Sequence, residues 1–333
     1  MRLEVSDPSH VGACRRAAQN LAGAWQLDEQ GIGRVGIVAT ELAANLIRHA
    51  RGGEILLQPI EFDGGPQIEL LSIDRGPGML RERSLRDGFS TAGGAGTGLG
   101  AVRRLSATFD MYSQPEAGTV VLARLGTGGE SRSPGAPHPA PLEIGTISVA
   151  MRGELECGDT WSLAMDGAQC ALLVVDGLGH GHFAALAAAA AAKAFAARPF
   201  ATPEETMRAL HGALSGTRGA AAACALLDPE GACIQYSGVG NIAAAISEEE
   251  TRRGLLSHNG TLGSSLSRTR QLEYPWPAHA LLVVHSDGLS ARWSLAAYPQ
   301  LAERHAAVIA AVLYREHARP RDDATVVVRR RRP

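Results

Sequence analysis

Apolar residues recur every three to four positions through two early stretches, 8–24 and 31–50, the second carrying VGIVATELAANLI. That period predicts two amphipathic helices. The pattern then changes to short apolar runs at 54–60, 67–74, 107–112 and 119–125, which predict strands. Helices followed by strands that can pair as hairpins predict an α+β sandwich, with helices over one sheet. A second block begins near 142. Runs at 144–151, 160–166, 170–176, 221–227, 233–239, 242–247, 280–286 and 325–330 predict strands, and 183–197, 203–214 and 298–316 predict helices. Many strands with few helices fit two sheets packed face to face and flanked by helices, an αββα sandwich. The stretch 251–277, rich in Arg and Ser, shows no readable pattern and is assigned to a substrate-recognition flap.

Between the blocks lies GTGGESRSPGAPHPAP, residues 126–141, without apolar periodicity. Gly, Ser and Pro at this density predict a linker. The expected organisation is therefore a domain over 1–125, a linker over 126–141 and a domain over 142–331, consistent with a length of 333 residues. A net charge of −2 gives no field for nucleic acid or an acidic membrane surface. The Arg329–Arg332 cluster is expected to be a solvated end. Five scattered cysteines, with no CxxC spacing, indicate neither a zinc site nor a disulfide framework. They point to a reducing cytoplasm. The longest apolar stretch, 183–197, is alanine-rich and interrupted by Lys193, too short for a bilayer span, which needs about 20 residues.

Candidate chemistry in the first domain starts with ELAANLIRHA. Glu41, Asn45 and His49 are spaced by four and share one helix face. Polar groups inside an apolar helix are costly unless bonded, so they form either a satisfied core network or a ligand site. In the ligand reading Asn45 holds magnesium through its amide oxygen and Glu41 accepts a proton from the nucleophile. A strand then ends at Asp74 in DRGPGM; alone, this is equally an aspartate in a tight turn. GGAGTGLGAVRRL follows, glycine-rich backbone running into a helix, which is an anion cradle. It lacks GxxxxGK[ST] and follows no clear strand, so it is neither a P-loop nor a dinucleotide fingerprint.

In this order, ELAANLIRHA, DRGPG and GGAGTGLG make residues 1–125 resemble the GHKL (Bergerat-fold) ATPases. The branch is that of small serine kinases acting as anti-sigma factors or stress-switch kinases (RsbW/RsbT-like). The resemblance implies ATP with Mg2+: Asn45 for the metal, Glu41 as base, Asp74 for the adenine amino group, and Gly76 and Gly78 shaping its pocket. It places Gly94, Gly96, Thr97, Gly98, Leu99 and Gly100 over the phosphates and Thr119 beside adenine. His49 is counted with this set. No phosphoacceptor-histidine helix precedes the domain, so a serine or threonine on a separate protein is the expected acceptor.

In the second domain Asp159 (ECGDTW), Asp176 (VVDGLGHG), Asp287 (VVHSDGL), Asp322 and Asp323 (RDDATVVV) all sit at strand ends. Asp-Gly is a common turn dipeptide, and one such site alone would be read as a turn. Four directly beside apolar strands favour a shared site for hard divalent cations, where two ions lower the pKa of a bridging water. CGD, DGLGHG, SGVGN, SDGL and DDAT, in this order, make residues 142–331 resemble the PPM-type serine/threonine phosphatases of the SpoIIE and RsbX-like branch. The resemblance implies two Mn2+ or Mg2+ ions, bridged by Asp176 and the Gly177 carbonyl. Asp287 and Asp322 hold one ion and Asp159 helps the second; Asp323, in a slot often held by Asn, ranks below Asp322. His180 is a candidate phosphate-orienting group or proton donor, and Asn241 a turn residue.

Together the resemblances imply a bifunctional partner-switching regulator. It would phosphorylate and dephosphorylate a STAS-domain antagonist or stressosome-like protein in a sigma-factor pathway, and dimerise through the N-terminal domain. The alternatives are a phosphatase gated by an ATP- or partner-binding domain, and a non-catalytic anti-sigma clamp.

Overall fold

The computed structural model describes residues 1–61, 65–79, 98–126, 142–228, 230–248, 251–266 and 268–331. The chain divides into two compact units, Met1–Pro139 and Ala140–Pro333. Beyond Gly126 the expected linker lies outside the described residues.

In the first unit, α1 (Ser9–Ala24) and α2 (Glu29–Ala50) bear out the two early helices. The Asp28 side chain caps α2 by accepting the Gly31 N–H at 2.7 Å. Arg51 ends it in the left-handed region, φ 60°, and the Gly52 N–H returns to the Leu46 carbonyl at 2.9 Å. The apolar stripe of α2, including Val35, Val38, Leu42 and Leu46, is buried. It packs on one face of an antiparallel sheet of β1 (Arg2–Val5), β2 (Gly53–Glu61), β3 (Pro66–Ile73), β4 (Thr108–Gln114) and β5 (Gly118–Gly126). The strand order is β1-β2-β3-β5-β4. Strand β1 escapes sequence reading because four residues are too few to display alternation. Helix α3 (Gly98–Leu105) packs against α2.

The second unit is built on two sheets. One has the order β13-β10-β9-β8-β7 with β14 added on β10, the other β12-β11-β15-β16-β6. The first contains β7 (Asp159–Asp166), β8 (Gln169–Gly177), β9 (Ala220–Asp228), β10 (Cys233–Val239), β13 (Ser257–His258) and β14 (Leu272–Pro275). The second contains β6 (Leu142–Val149), β11 (Ala243–Glu248), β12 (Thr251–Leu255), β15 (Leu281–His285) and β16 (Ala324–Arg331). Helices α4 (His182–Ala197) and α5 (Pro203–Ala213) cover the first sheet, and α6 (Ala306–His317) lies on β6 and β16. This is the expected αββα sandwich. Thr202 and Glu205 form a reciprocal capping box at α5, with Pro203 opening the helix.

Two expectations are corrected. The helix expected over 298–316 begins only at Ala306, after short 3-10 turns at Leu295–Ala297 and Leu301–Glu303. Pro299 disfavours helical backbone at Tyr298, and Gln300 stands at φ 61°. The unreadable stretch 251–277 contains β12, β13 and β14. β12 is exposed except at Leu255 and owes its strand form to pairing with β11 rather than to apolar pattern. Among the described residues no helix is long and apolar enough to cross a membrane.

Candidate active sites

In the first unit, α2 carries Glu41 and Asn45 one turn apart, and α3 begins against them. A Cβ on Gly98 would stand 3.0 Å from Glu41 Oε2 and 3.5 Å from Asn45 Oδ1, so the glycine lets the α3 N-terminus approach both side chains. The buried Asn45 Nδ2 has no hydrogen-bond partner among the described residues. A buried amide left in that state costs on the order of 1–3 kcal/mol, which suits a group that meets a phosphate or water when nucleotide is present. His49, half-buried, follows one turn on. Leu99 and Gly100 lie in α3, while Gly94, Gly96 and Thr97 are outside the described residues.

Asp74 directly follows β3 and is fixed by its neighbours. Its Oδ1 accepts the Gly76 N–H at 2.8 Å and the Thr119 N–H at 3.1 Å, and its own N–H donates to the Thr119 carbonyl at 2.9 Å. Thr119 Oγ1 lies 2.9 Å from Ser113 Oγ, which also accepts the Met79 N–H at 2.9 Å. Asp74, Gly76, Gly78 and Thr119 thus share one corner, and Ser113 is a member that no sequence motif marks. Gly78 has φ 66°, and a Cβ there would run into the Gln114 carbonyl. Gly78→Ala is therefore expected to destabilise the first unit by about 2 kcal/mol or more. Calorimetry should show one of two thermal transitions falling by several degrees; an unmoved transition would contradict this geometry.

In the second unit, β7 and β8 pair so that Asp159 faces Asp176 across the ladder. The Gly177 N–H donates to the Gly158 carbonyl at 3.0 Å, which closes this end. On the other sheet β15 and β16 are neighbours, and Ser286 and Thr325 exchange hydrogen bonds at 3.0 Å. That pairing puts Asp287, just past β15, beside Asp322 and Asp323, just before β16. The two sheets thus bring five aspartates to one end of the sandwich.

The five aspartates act on one another electrostatically. Burial first, then the charges of Asp159, Asp287 and Asp322, push the Asp176 carboxyl up to about 9. Burial pushes Asp159 up to about 7, with Asp323 and Asp322 adding to it and hydrogen bonds from Ser286 and Thr325 opposing it. Burial, then Asp287, also raises Asp322. Asp159 is 5% exposed, and its Oδ2 has no hydrogen-bond partner among the described residues. Mutually repelling carboxylates with an orphaned buried oxygen have the chemistry that suits hard divalent cations. Among the described residues no group of three or more His, Cys, Asp or Glu side chains stands at metal-ligand spacing.

Asp323 differs from the rest. Its Oδ1 accepts the Met151 N–H at 2.7 Å and its Oδ2 the Gly158 N–H at 2.8 Å. It anchors the 151–158 loop, so its oxygens are engaged with backbone. Asn241, expected only to turn the chain, donates from Nδ2 to Asp287 Oδ2 at 2.7 Å. His180 Nδ1 pairs with Glu154 at 2.7 Å. Asn241, Ser286 and Thr325 are site members the motifs alone do not assign.

The raised carboxyls fix a pH dependence. Their stabilising protonation is complete below the unfolded carboxylate range and is lost as pH rises through about 7 for Asp159 and about 9 for Asp176. The metal-free second unit should therefore melt progressively lower between about pH 5 and pH 9. Mn2+ or Mg2+ should raise the melting temperature, and more so at the upper end, where protons no longer compete. Differential scanning fluorimetry with and without chelator checks this; a metal effect independent of pH would contradict it.

A helix-covered sheet with an Asn–Glu helix face and an aspartate–threonine corner defines an ATPase-like unit. A double-sheet sandwich with aspartates gathered at one end defines a phosphatase-like unit. The pattern of the family described as "Histidine kinase-like ATPase domain" matches residues 5–125. That of "Stage II sporulation protein E (SpoIIE)" matches residues 166–332, half of the chain. The chain belongs to the SpoIIE family, with a PP2C-type carboxyl-terminal unit and a histidine kinase-like ATPase unit ahead of it.

Over 114 residues the chain is 32% identical to the serine/threonine-protein kinase RsbT of Bacillus subtilis (strain 168), covering 34% of this chain and 86% of that protein. A solved chain described as "The bacterial stressosome: a modular system that has been adapted to control secondary messenger signaling" is 30% identical. It covers 57% of this chain and 99% of its own, with a TM-score of 0.53. RsbX, solved in complex with magnesium, matches at 19% identity and a TM-score of 0.52 over 58% of this chain and 97% of its own. At that identity the likeness concerns the fold.

Proposed function

We propose that this chain is a two-activity switch: the first unit phosphorylates a serine or threonine of a STAS-type regulatory protein, and the second unit removes that phosphate. The observation that carries the reading is that both candidate sets are gathered, Glu41 and Asn45 at the start of α3, and Asp159, Asp176, Asp287 and Asp322 at one end of the sandwich. A binding module that had lost its chemistry would not need both sets. The similarity to RsbT and to a stressosome chain supports a partner of the stress-switch kind in a sigma-factor pathway.

In the first unit Asn45 would hold Mg2+ with ATP, and Asp74, fixed by the Gly76 and Thr119 amides, would accept the adenine amino group. Glu41, one turn from Asn45, would take the hydroxyl proton of the incoming Ser or Thr as its oxygen bonds the γ-phosphorus of ATP, while the bond from that phosphorus to the β,γ-bridging oxygen breaks and ADP leaves. In the second unit Asp176, with the Gly177 carbonyl, Asp159, Asp287 and Asp322 would hold two Mn2+ or Mg2+ ions, which would lower the pKa of a bound water when present. Asn241 steadies Asp287, and Asp323 positions the 151–158 loop. Dimerisation through the first unit is part of this proposal. The test is phosphate release from a STAS-domain protein phosphorylated beforehand on serine. Release with Mn2+ and none with chelator supports the phosphatase; none under either condition would sink it.

A further inference from the structure

Several large apolar side chains stand in solvent on the segments that leave the aspartate cluster. Leu155 is 101% exposed, Leu178 44%, Phe183 59% and Leu186 50%. The segments that carry them are tied together. Leu155 lies between Glu154 and Glu156, whose carboxylates meet His180 Nδ1 at 2.7 Å and His182 Nδ1 at 2.9 Å. These pairs fasten the 151–158 loop to the entry of α4. Phe183 and Leu186, three residues apart on α4, share a face. The Leu178 N–H donates to the Gly219 carbonyl at 3.0 Å, so Leu178 runs beside the loop that carries Arg218.

Arg218 completes the rim. Its guanidinium carbon lies 4.9 Å from the centroid of the Phe183 ring. Its Nη1 lies 3.0 Å from where a Cβ on Gly179 would stand, over the backbone of the DGLGHG turn. Its loop is fixed, because Thr217 Oγ1 donates to the Leu214 carbonyl at 2.7 Å and accepts the Gly219 N–H at 3.0 Å. In the β8–β9 ladder Gly177 pairs with Ala220 and Asp176 with Ala221, which places Arg218 just beyond the metal-site aspartate. Among the described residues Arg218 makes no ion pair. A cation held by an aromatic ring, without a counter-ion and beside a phosphatase centre, is complementary to a phosphate.

We propose that this rim is the recognition surface for the phosphoserine segment of a protein substrate. Arg218 takes phosphate oxygens, and Phe183 with Leu178 and Leu186 seats an apolar side chain of the same segment. The proposal rests on the phosphatase reading of the second unit. It adds a substrate preference: a phosphoserine with a large apolar residue close to it, rather than any phosphomonoester. A guanidinium fork engages two phosphate oxygens at once, which an ammonium cannot do.

The test follows hydrolysis by the full chain with Mn2+ of synthetic phosphoserine peptides in which one leucine is moved stepwise around the phosphoserine. p-Nitrophenyl phosphate, which has no segment to dock, runs in parallel. The wild type should prefer at least one leucine-bearing peptide over the leucine-free one by about tenfold in kcat/KM, and Phe183→Ser should collapse that preference to about twofold or less. Arg218→Ala should raise the phosphopeptide KM about tenfold with kcat moving less than about threefold, and Arg218→Lys should recover part of the loss. Both side chains are exposed, so the melting temperatures report whether folding is intact. Variants with wild-type KM and preference, or a wild type active on p-nitrophenyl phosphate without leucine preference, overturn the proposal and leave the phosphatase reading standing. A dimer dissolved by Phe183→Ser with peptide KM unmoved would assign the face to a second copy of the chain and also overturn it. A wild type that hydrolyses neither substrate overturns the phosphatase reading, and the recognition surface with it.

Discussion

Asp176→Asn is expected to lower dephosphorylation of a phosphoserine protein by about a thousandfold or more while making the metal-free chain more stable. Both effects come from one geometry. Asp176 faces Asp159 across the β7–β8 ladder and feels Asp287 and Asp322, so its carboxyl is pushed up to about 9. An amide of the same shape removes that repulsion and, with it, the charge proposed to hold the ions. The melting temperature without metal should rise, and the further rise on adding Mn2+ should shrink sharply. Fluorimetry and a phosphate-release assay on one preparation check both. A variant less stable than wild type, or one that keeps its activity, would contradict the proposed ion-binding role of the cluster.

The second large effect concerns the other unit. Asn45→Ala should abolish phosphorylation and weaken ATP binding by about a hundredfold, whereas Glu41→Gln should keep nucleotide binding and slow phosphoryl transfer by about 10²–10⁴. The difference arises because the Asn45 amide is assigned to the ion and phosphates, while the Glu41 carboxylate is assigned to the proton of the acceptor hydroxyl. Both side chains stand at the same approach of Gly98, so a steric explanation would predict equal losses. Titration with a fluorescent ATP analogue, beside label transfer to the partner, separates the two. Dephosphorylation should be unaffected in both variants, and its loss would mean that the sites are not independent.

Much of this was legible in the sequence because the periodic elements follow from side-chain pattern. The α2 stripe, the buried runs of β8 and β9, and the capping signal Thr202-Pro203 to Glu205 are all local, and their elements form where the pattern puts them. What was not legible depends on pairing partners distant in the chain. Strand β12 has four exposed positions and becomes a strand through β11. The late start of α6 is set by Pro299 and by the left-handed Gln300, which an alanine-rich period hides. At the sites, motif order picked out the aspartates. It did not reveal that Asn241 bonds Asp287, that Asp323 spends its oxygens on the Met151 and Gly158 amides, or that Ser113 completes the Asp74–Thr119 corner. Those assignments need residues from 6 to 172 positions apart to meet.

The chain is proposed to add and remove the same phosphate at two separate sites. The most direct test is the intact mass of a STAS-domain partner incubated with ATP and Mg2+, first with Asp176→Asn and then, after ATP is removed, with the wild-type chain and Mn2+. A phosphate-sized gain that persists with the variant and disappears with the wild type is expected. A partner whose mass never rises, yet which loses phosphate when supplied already phosphorylated, would contradict it and leave a phosphatase governed by an ATP- or partner-binding unit.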